Sequence, residues 1–155
     1  MLKDLCLLNG TSGREDAVRN YIIEKIKDKC EYSVDALGSV IAFKKGKKAP
    51  DKKVLVAAHT DEVGFIITDI TDDGYLRFAP VGGIDAAVVL GRRVDINGIK
   101  GVVGAKAVHL LSDDEKKNEP AFDKLAIDIG AADKAEAEKA VSLGDCAYFA
   151  SDYCE

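Results

Sequence analysis

Five small or branched apolar residues in a row, Val54-Leu55-Val56-Ala57-Ala58, stop abruptly at His59-Thr60-Asp61-Glu62, with Val63-Gly64-Phe65 beyond. No polar residue alternates along the run. That pattern predicts a strand covered on both faces, as at the centre of a parallel or mixed sheet. In open α/β sheets, ligands gather just past the carboxyl ends of the strands. Residues two apart on an extended strand share a face. His59 and Asp61 are therefore expected to look into one crevice, with Thr60 and Glu62 turned the other way. A neutral imidazole is a frequent metal ligand, and a carboxylate beside it orients the ring or shares the ion. The same spacing also suits an ordinary polar strand terminus, and taken alone it leaves the two readings open.

Before this junction the chain reads as helix and strand. Leu2, Leu5 and Leu8 fit one face of a short first helix that Asn9-Gly10 ends. Ser12-Gly13-Arg14-Glu15 predicts a capping box, with Ser12 as the cap and Glu15 reaching back. The helix it opens is expected to run to about Cys30, burying Val18, Tyr21, Ile22, Ile26 and Cys30. Tyr32 and Val34 suggest an edge strand, Gly38 a break, and Val40 to Phe43 a second strand. The cluster Lys44-Lys45-Gly46-Lys47-Lys48 with Lys52-Lys53 reads as a solvated turn.

After Phe65 the strands shorten and turns multiply. Phe65 to Ile70 and Tyr75 to Phe78 flank the turn Asp72-Asp73-Gly74, and Gly82-Gly83 predicts a tight bend. Asn97-Gly98 between Val94-Asp95-Ile96 and Ile99-Lys100-Gly101-Val102 predicts a type I′ hairpin. Asp113 to Glu119 is expected to be an exposed charged loop, Leu125 to Ile129 a strand, Ala131 to Val141 a helix and Leu143 to Phe149 a last strand. Short strands with one helix predict a small β-barrel. The fold class is thus α/β, with residues 1-64 forming a partial helix-and-sheet layer and 65-155 the barrel.

Composition narrows the function. A net charge of −5 spread over both signs gives no basic surface for nucleic acid. No run approaches the roughly twenty apolar residues that cross a bilayer, so no membrane partner is expected. The four cysteines form no Cys-x-x-Cys pair, which argues against a zinc ribbon or a thioredoxin-type motif. With no secretory signal read in Met1 to Leu8, reduced thiols in a cytoplasm are the expectation.

Ala57-Ala58-His59-Thr60-Asp61-Glu62-Val63-Gly64-Phe65 resembles the His-x-Asp-Glu-Val-Gly-Phe signature of the tetrahedral, dinuclear-metal aminopeptidases. That family includes glutamyl and deblocking enzymes, some once labelled endoglucanases. The resemblance extends in order through Gly10 to Glu15, through Asp35-Ala36-Leu37-Gly38-Ser39-Val40-Ile41-Ala42, and through Val81-Gly82-Gly83-Ile84-Asp85. It continues in Leu90-Gly91-Arg92-Arg93-Val94, Gly101 to Gly104, Ile127 to Ala131, and Gly144-Asp145. Ser39 stands where the family usually carries Asn.

The resemblance implies a partial phosphorylase/hydrolase-like zinc-peptidase layer followed by an inserted PDZ-like barrel used in dimerisation and assembly. It implies that His59 is a metal ligand and that Asp61 is the catalytic-site carboxylate steadying it. It implies peptide substrates, a homo-oligomer, and two divalent metals, zinc or cobalt, in the complete enzyme. The other ligands and the general base would lie beyond the inserted barrel. The chain therefore reads as the amino-terminal part of such a peptidase, expected to bind no metal tightly and to be inactive alone.

His109, in Ala107-Val108-His109-Leu110-Leu111, is expected to be a satisfied histidine at a strand end. Glu62 is expected to be structural, paired with a helix or an Arg. Gly101-Val102-Val103-Gly104 is too weak for a phosphate loop, and Asp128 and Asp145 read as turn and strand-end residues. Two other functions compete with the peptidase reading. One is an assembly or peptide-interaction module acting by β-augmentation. The other is a glycosidase, disfavoured because sugar grooves want stacking aromatics and the chain has no Trp.

Overall fold

The computed structural model describes residues 1–48, 52–107, 109, 112 and 121–153. The chain divides into two compact units, Met1–Glu62 and Val63–Glu155. The expected loop from Asp113 to Glu119 lies outside the described residues.

In the first unit, helix α1 (Leu2–Leu7) ends where Leu8 turns extended, and α2 spans Asp16–Ile26. Tyr21 Oη donates to Asp4 Oδ2 at 2.6 Å, which ties the two helices. That bond holds the Asp4 carboxyl below its ordinary range and pushes the Tyr21 phenol up. The predicted stripe on α2 is present but shallow. Val18 is buried and Tyr21, Ile22 and Ile26 are half-buried; the helix stops at Ile26, so Cys30, also half-buried, lies beyond it and off the stripe.

Strands β1 (Glu31–Val34) and β2 (Val40–Phe43) form an antiparallel hairpin with Glu31 opposite Phe43 and Val34 opposite Val40. Its turn is built on Asp35, whose side chain accepts the N–H groups of Leu37 at 2.9 Å and Ser39 at 2.8 Å. Those donors, Ser39 foremost, hold the Asp35 carboxyl below its ordinary range.

Two expectations for this unit are corrected. The helix does not begin at Ser12. Its N-cap is Glu15, whose side chain caps nothing, and Glu15 Oε1 instead accepts the Gly13 N–H at 2.7 Å. Gly13 at φ 83° turns the chain between the two, so Ser12 sits outside the helix. The interior strand at Val54–Ala58 is likewise not formed. Val54, Leu55 and Val56 are each 89% exposed. A strand exists through the ladder of a neighbour, and among the described residues none runs beside this segment.

The second unit is the expected barrel. Strands β3 (Gly64–Ile70), β4 (Leu76–Val81), β5 (Arg93–Ile96), β6 (Ile99–Ala105), β7 (Leu125–Asp128) and β8 (Cys146–Phe149) close in the order β3-β4-β7-β6-β5-β8. All its pairings are antiparallel. The inward residues alternate along each strand. Phe65 and Ile67, Leu76 and Phe78, Val94 and Ile96, and Leu125 and Ile127 are all buried. Phe65 is the hub. Its ring centroid lies 5.0 Å from Phe78, 5.1 Å from Phe149 and 6.3 Å from Phe122.

Asn97 at φ 52° and Gly98 at φ 91° make the predicted type I′ turn between β5 and β6. Helix α3 (Ala86–Val89) is capped by Asp85, and α4 (Lys134–Ala140) by Asp133. Asp133 accepts the Glu136 N–H, while Glu136 Oε2 reaches back to the Ala132 N–H, both at 2.8 Å. No helix among the described residues is long and apolar enough to cross a membrane.

Gly101 on β6 leaves no room for a side chain against β7. A Cβ there would stand 2.7 Å from Ile127 Cγ2 and 3.1 Å from the Asp128 carbonyl oxygen. Neither neighbour is the free end of a flexible side chain, and Ile127 is fully buried. Gly101→Ala is expected to destabilise the barrel by about 1–3 kcal/mol, the usual cost of overpacking a core. Urea unfolding followed by near-UV absorption or circular dichroism checks it.

Candidate active site

The site begins with a main-chain pairing inside the first unit. Thr11 and Glu62 form an isolated parallel bridge. Glu62 N–H donates to the Gly10 carbonyl at 2.8 Å, and Gly10 N–H donates to Glu62 Oε1 at 3.1 Å. Thr11 Oγ1 donates to the Glu62 carbonyl at 3.3 Å, with Thr11 itself 1% exposed. Gly10 is buried, and a Cβ on it would meet Val18 Cγ2 at 2.7 Å. The loop between α1 and α2 is thereby stapled to the segment just after His59.

This pairing delivers Asp61 between two partners. Ser12 Oγ donates to Asp61 Oδ2 at 2.5 Å, and Asp61 Oδ1 lies 3.0 Å from His59 Nδ1. The Asp61 carbonyl oxygen lies 2.9 Å from the same ring nitrogen. The Ser12 hydroxyl foremost, then the His59 ring, hold the Asp61 carboxyl below its ordinary range, against the opposing pull of burial. An ionised carboxylate and a carbonyl only accept. Nδ1 must therefore carry the proton and donate, which in a neutral ring leaves the lone pair on Nε2. The imidazole is 85% exposed and Asp61 39%.

The structure thus brings His59 and Asp61 into hydrogen-bond contact. Glu62 takes a backbone amide, not a helix or an Arg. His109 belongs to the other unit, where it is exposed and outside the strands. Asp128, the last residue of β7, accepts the Gly130 N–H at 2.8 Å, and Asp145 accepts the Ser142 N–H at 2.9 Å, both in turns. Gly101 to Gly104 lie within β6. Cys6, Cys30 and Cys146 are free thiols. Ser12 was missed as a site residue. Its place ahead of a helix invites the capping reading, and only the bridge between Thr11 and Glu62 reveals its other partner.

Residues 38–155 match the M42 glutamyl aminopeptidase family. The chain belongs to that family. The resemblance carried by His59-Thr60-Asp61-Glu62-Val63-Gly64-Phe65 is therefore borne out. The M42 chain is 33% identical over 161 residues to the lysyl aminopeptidase of Pyrococcus furiosus, covering 99% of this chain and 46% of that protein.

Two solved structures are also similar. The TET1 peptidase of Pyrococcus horikoshii, which can assemble into a tetrahedron or a large octahedral shell, is 42% identical with a TM-score of 0.80. It covers 96% of this chain and is itself covered to 45%. A Thermotoga maritima protein named endoglucanase is 40% identical with a TM-score of 0.85, over 100% of this chain and 46% of that one. The M42 chain spans less than half the length of these relatives.

The staple itself is testable. Glu62→Ala removes the side-chain acceptor of a buried N–H, which typically costs about 1–3 kcal/mol. Faster amide exchange at Gly10 is expected, while Glu62→Gln, which keeps a carbonyl acceptor, restores most of the protection. Residue-resolved hydrogen exchange measures both.

Proposed function

We propose that the longer polypeptide carrying this sequence is a metal-dependent aminopeptidase that removes residues from peptide amino termini. The observation that carries this is the His59–Asp61 pair, held by Ser12 and the Thr11–Glu62 bridge, in a chain of the M42 family. On this reading His59 ligates one of two divalent metals, zinc or cobalt, through Nε2. Asp61 holds the ring by accepting the Nδ1 proton. A bound metal of this kind supplies a Lewis acid and an activated water.

The donor chemistry fits zinc in kind but not in number. A zinc shell takes about four ligands, three from protein in catalytic sites. Among the described residues no group of three His, Cys, Asp or Glu stands close enough to hold an ion. The remaining ligands and the general base are assigned to sequence beyond these residues. So is the second strand that would cover Val54–Ala58 and complete a phosphorylase/hydrolase-like layer. Residues 1-64 form part of that layer on this reading, and 65-155 form an inserted PDZ-like barrel that joins subunits of a cytoplasmic homo-oligomer. The shells formed by the Pyrococcus horikoshii neighbour support the last point. The endoglucanase name of the Thermotoga neighbour is not carried over. Sugar hydrolysis uses two opposed carboxylates, and here Asp61 is engaged by Ser12 and His59 while Glu62 holds Gly10.

The 155-residue chain, incubated with zinc or cobalt and aminoacyl p-nitroanilides, is expected to show no turnover. Turnover that follows the protein peak and vanishes in His59→Ala would overturn the reading of an incomplete site. In the longer polypeptide turnover is expected. There Asp61→Ala lowers activity or metal affinity about 10–100-fold, the usual effect of removing a ligand's orienting partner.

A second reading, self-association, is favoured by the exposed apolar run Val54–Val56 and by Tyr32, Val34, Ile41 and Phe43 on the hairpin. Sedimentation velocity across concentration is expected to show oligomers, and a monomer at every concentration would count against it.

A further inference from the structure

Asp61 is gripped at both oxygens by side chains of different segments. Oδ2 accepts Ser12 Oγ at 2.5 Å, and Oδ1 faces His59 Nδ1 at 3.0 Å. An aspartate's terminal torsion is broad and roughly two-fold. A carboxylate 39% exposed and held at one oxygen only would rotate or trade its partner for water. A second anchor on the opposite oxygen removes that freedom.

The anchor is itself fixed from three directions. Arg14 N–H closes a turn on the Thr11 carbonyl at 2.8 Å, Gly13 N–H is held by Glu15 Oε1 at 2.7 Å, and Thr11 is paired to Glu62. The hydroxyl is not needed by α2, which starts after Glu15 and takes no side-chain cap. Every partner lies within the unit Met1–Glu62.

We propose that Ser12 is a positioning residue for His59: by fixing the Asp61 carboxylate it adds a side-chain acceptor beside the Asp61 carbonyl that already faces Nδ1 at 2.9 Å, and so strengthens the Nδ1–H tautomer that keeps the Nε2 lone pair free for a ligand. Its catalytic meaning rests on the reading of His59 as a metal ligand, but the positioning itself does not. A bond between exposed groups adds little to stability, so the role separates from a structural one. Ser12→Ala weakens the tautomer preference while leaving unfolding nearly unchanged.

The experiment uses the metal-free chain, nitrogen-15 labelled at histidine, at one fixed, mildly alkaline pH. Long-range proton–nitrogen spectra distinguish a protonated ring nitrogen from a bare one. The chain has two histidines, so His109 serves as the internal reference.

In the wild type, His59 is expected to show a protonated-type Nδ1 and a bare-type Nε2. Ser12→Ala narrows that separation and moves both resonances part of the way toward tautomer averaging, as Asp61→Ala does, because the main-chain carbonyl of residue 61 remains as an acceptor. Ser12→Thr keeps the hydroxyl and restores the wild-type pattern. Should Ser12→Ala not fold, Ser12→Cys, similar in shape with a weak donor, makes the same comparison.

A wild-type His59 already averaged would overturn the proposal. So would a Ser12→Ala spectrum identical to wild type while Asp61→Ala shifts. Neither outcome touches the peptidase reading, which is decided by turnover in the longer polypeptide. Conversely, absence of turnover there leaves the tautomer result standing.

Discussion

Two stretches about fifty residues apart in sequence, Gly10–Ser12 and Asp61–Glu62, meet as a short parallel pairing, and the first unit depends on it. That unit has little apolar material holding it. Val18 is its one buried hydrophobic side chain among the described residues. What orders the loop after α1 is therefore polar and directional. A buried threonine, a glycine too close to Val18 to carry a side chain, and a glutamate spanning to a backbone amide all serve it. Such contacts add modestly to stability but fix geometry tightly. The segment they hold carries the His59 imidazole and the Asp61 carboxylate.

The barrel rests on different physics. Its interior is an apolar cluster centred on Phe65, with edge-to-face aromatic contacts adding to the burial of the rings. Closure gives every strand a neighbour on both sides, although β4 and β7 meet at the single pair Leu76 and Ile127. The barrel is thus self-sufficient in a way the first unit is not. The contrast is visible in exposure, with Leu76, Leu125 and Ile127 fully buried while Leu55 stands almost bare.

The barrel was legible in the sequence because its signals are local. Asn97-Gly98 can do little except a tight turn of the right twist, and alternation along Val94 to Ile96 sets which side chains face inward. The helix α4 was readable from propensity, with ends displaced by the Asp133 cap. The interior strand is expected from an apolar run without polar alternation, and such a run reports what a segment would bury, not whether a neighbour is at hand. Val54–Val56 show that difference. The expectation that His59 and Asp61 share a face in a crevice rests on an extended strand that is not formed; the two meet in a loop instead, with the ring 85% exposed. The role of Ser12 was not legible, because a serine ahead of a helix has a local use that hides a partner far along the chain. Long-range pairing between polar groups leaves no periodic trace, and here it escaped the reading.

The register of the barrel has a consequence for how such a unit can be carried. Phe65 stands opposite Ala147 on the neighbouring antiparallel strand, so the chain enters the barrel beside the point where it leaves. Adjacent strands run about 4.8 Å apart. A module whose doorway and exit coincide adds almost no loop-closure entropy to a host fold that receives it. It can be gained, lost or exchanged at a surface turn without pulling apart the host elements on either side.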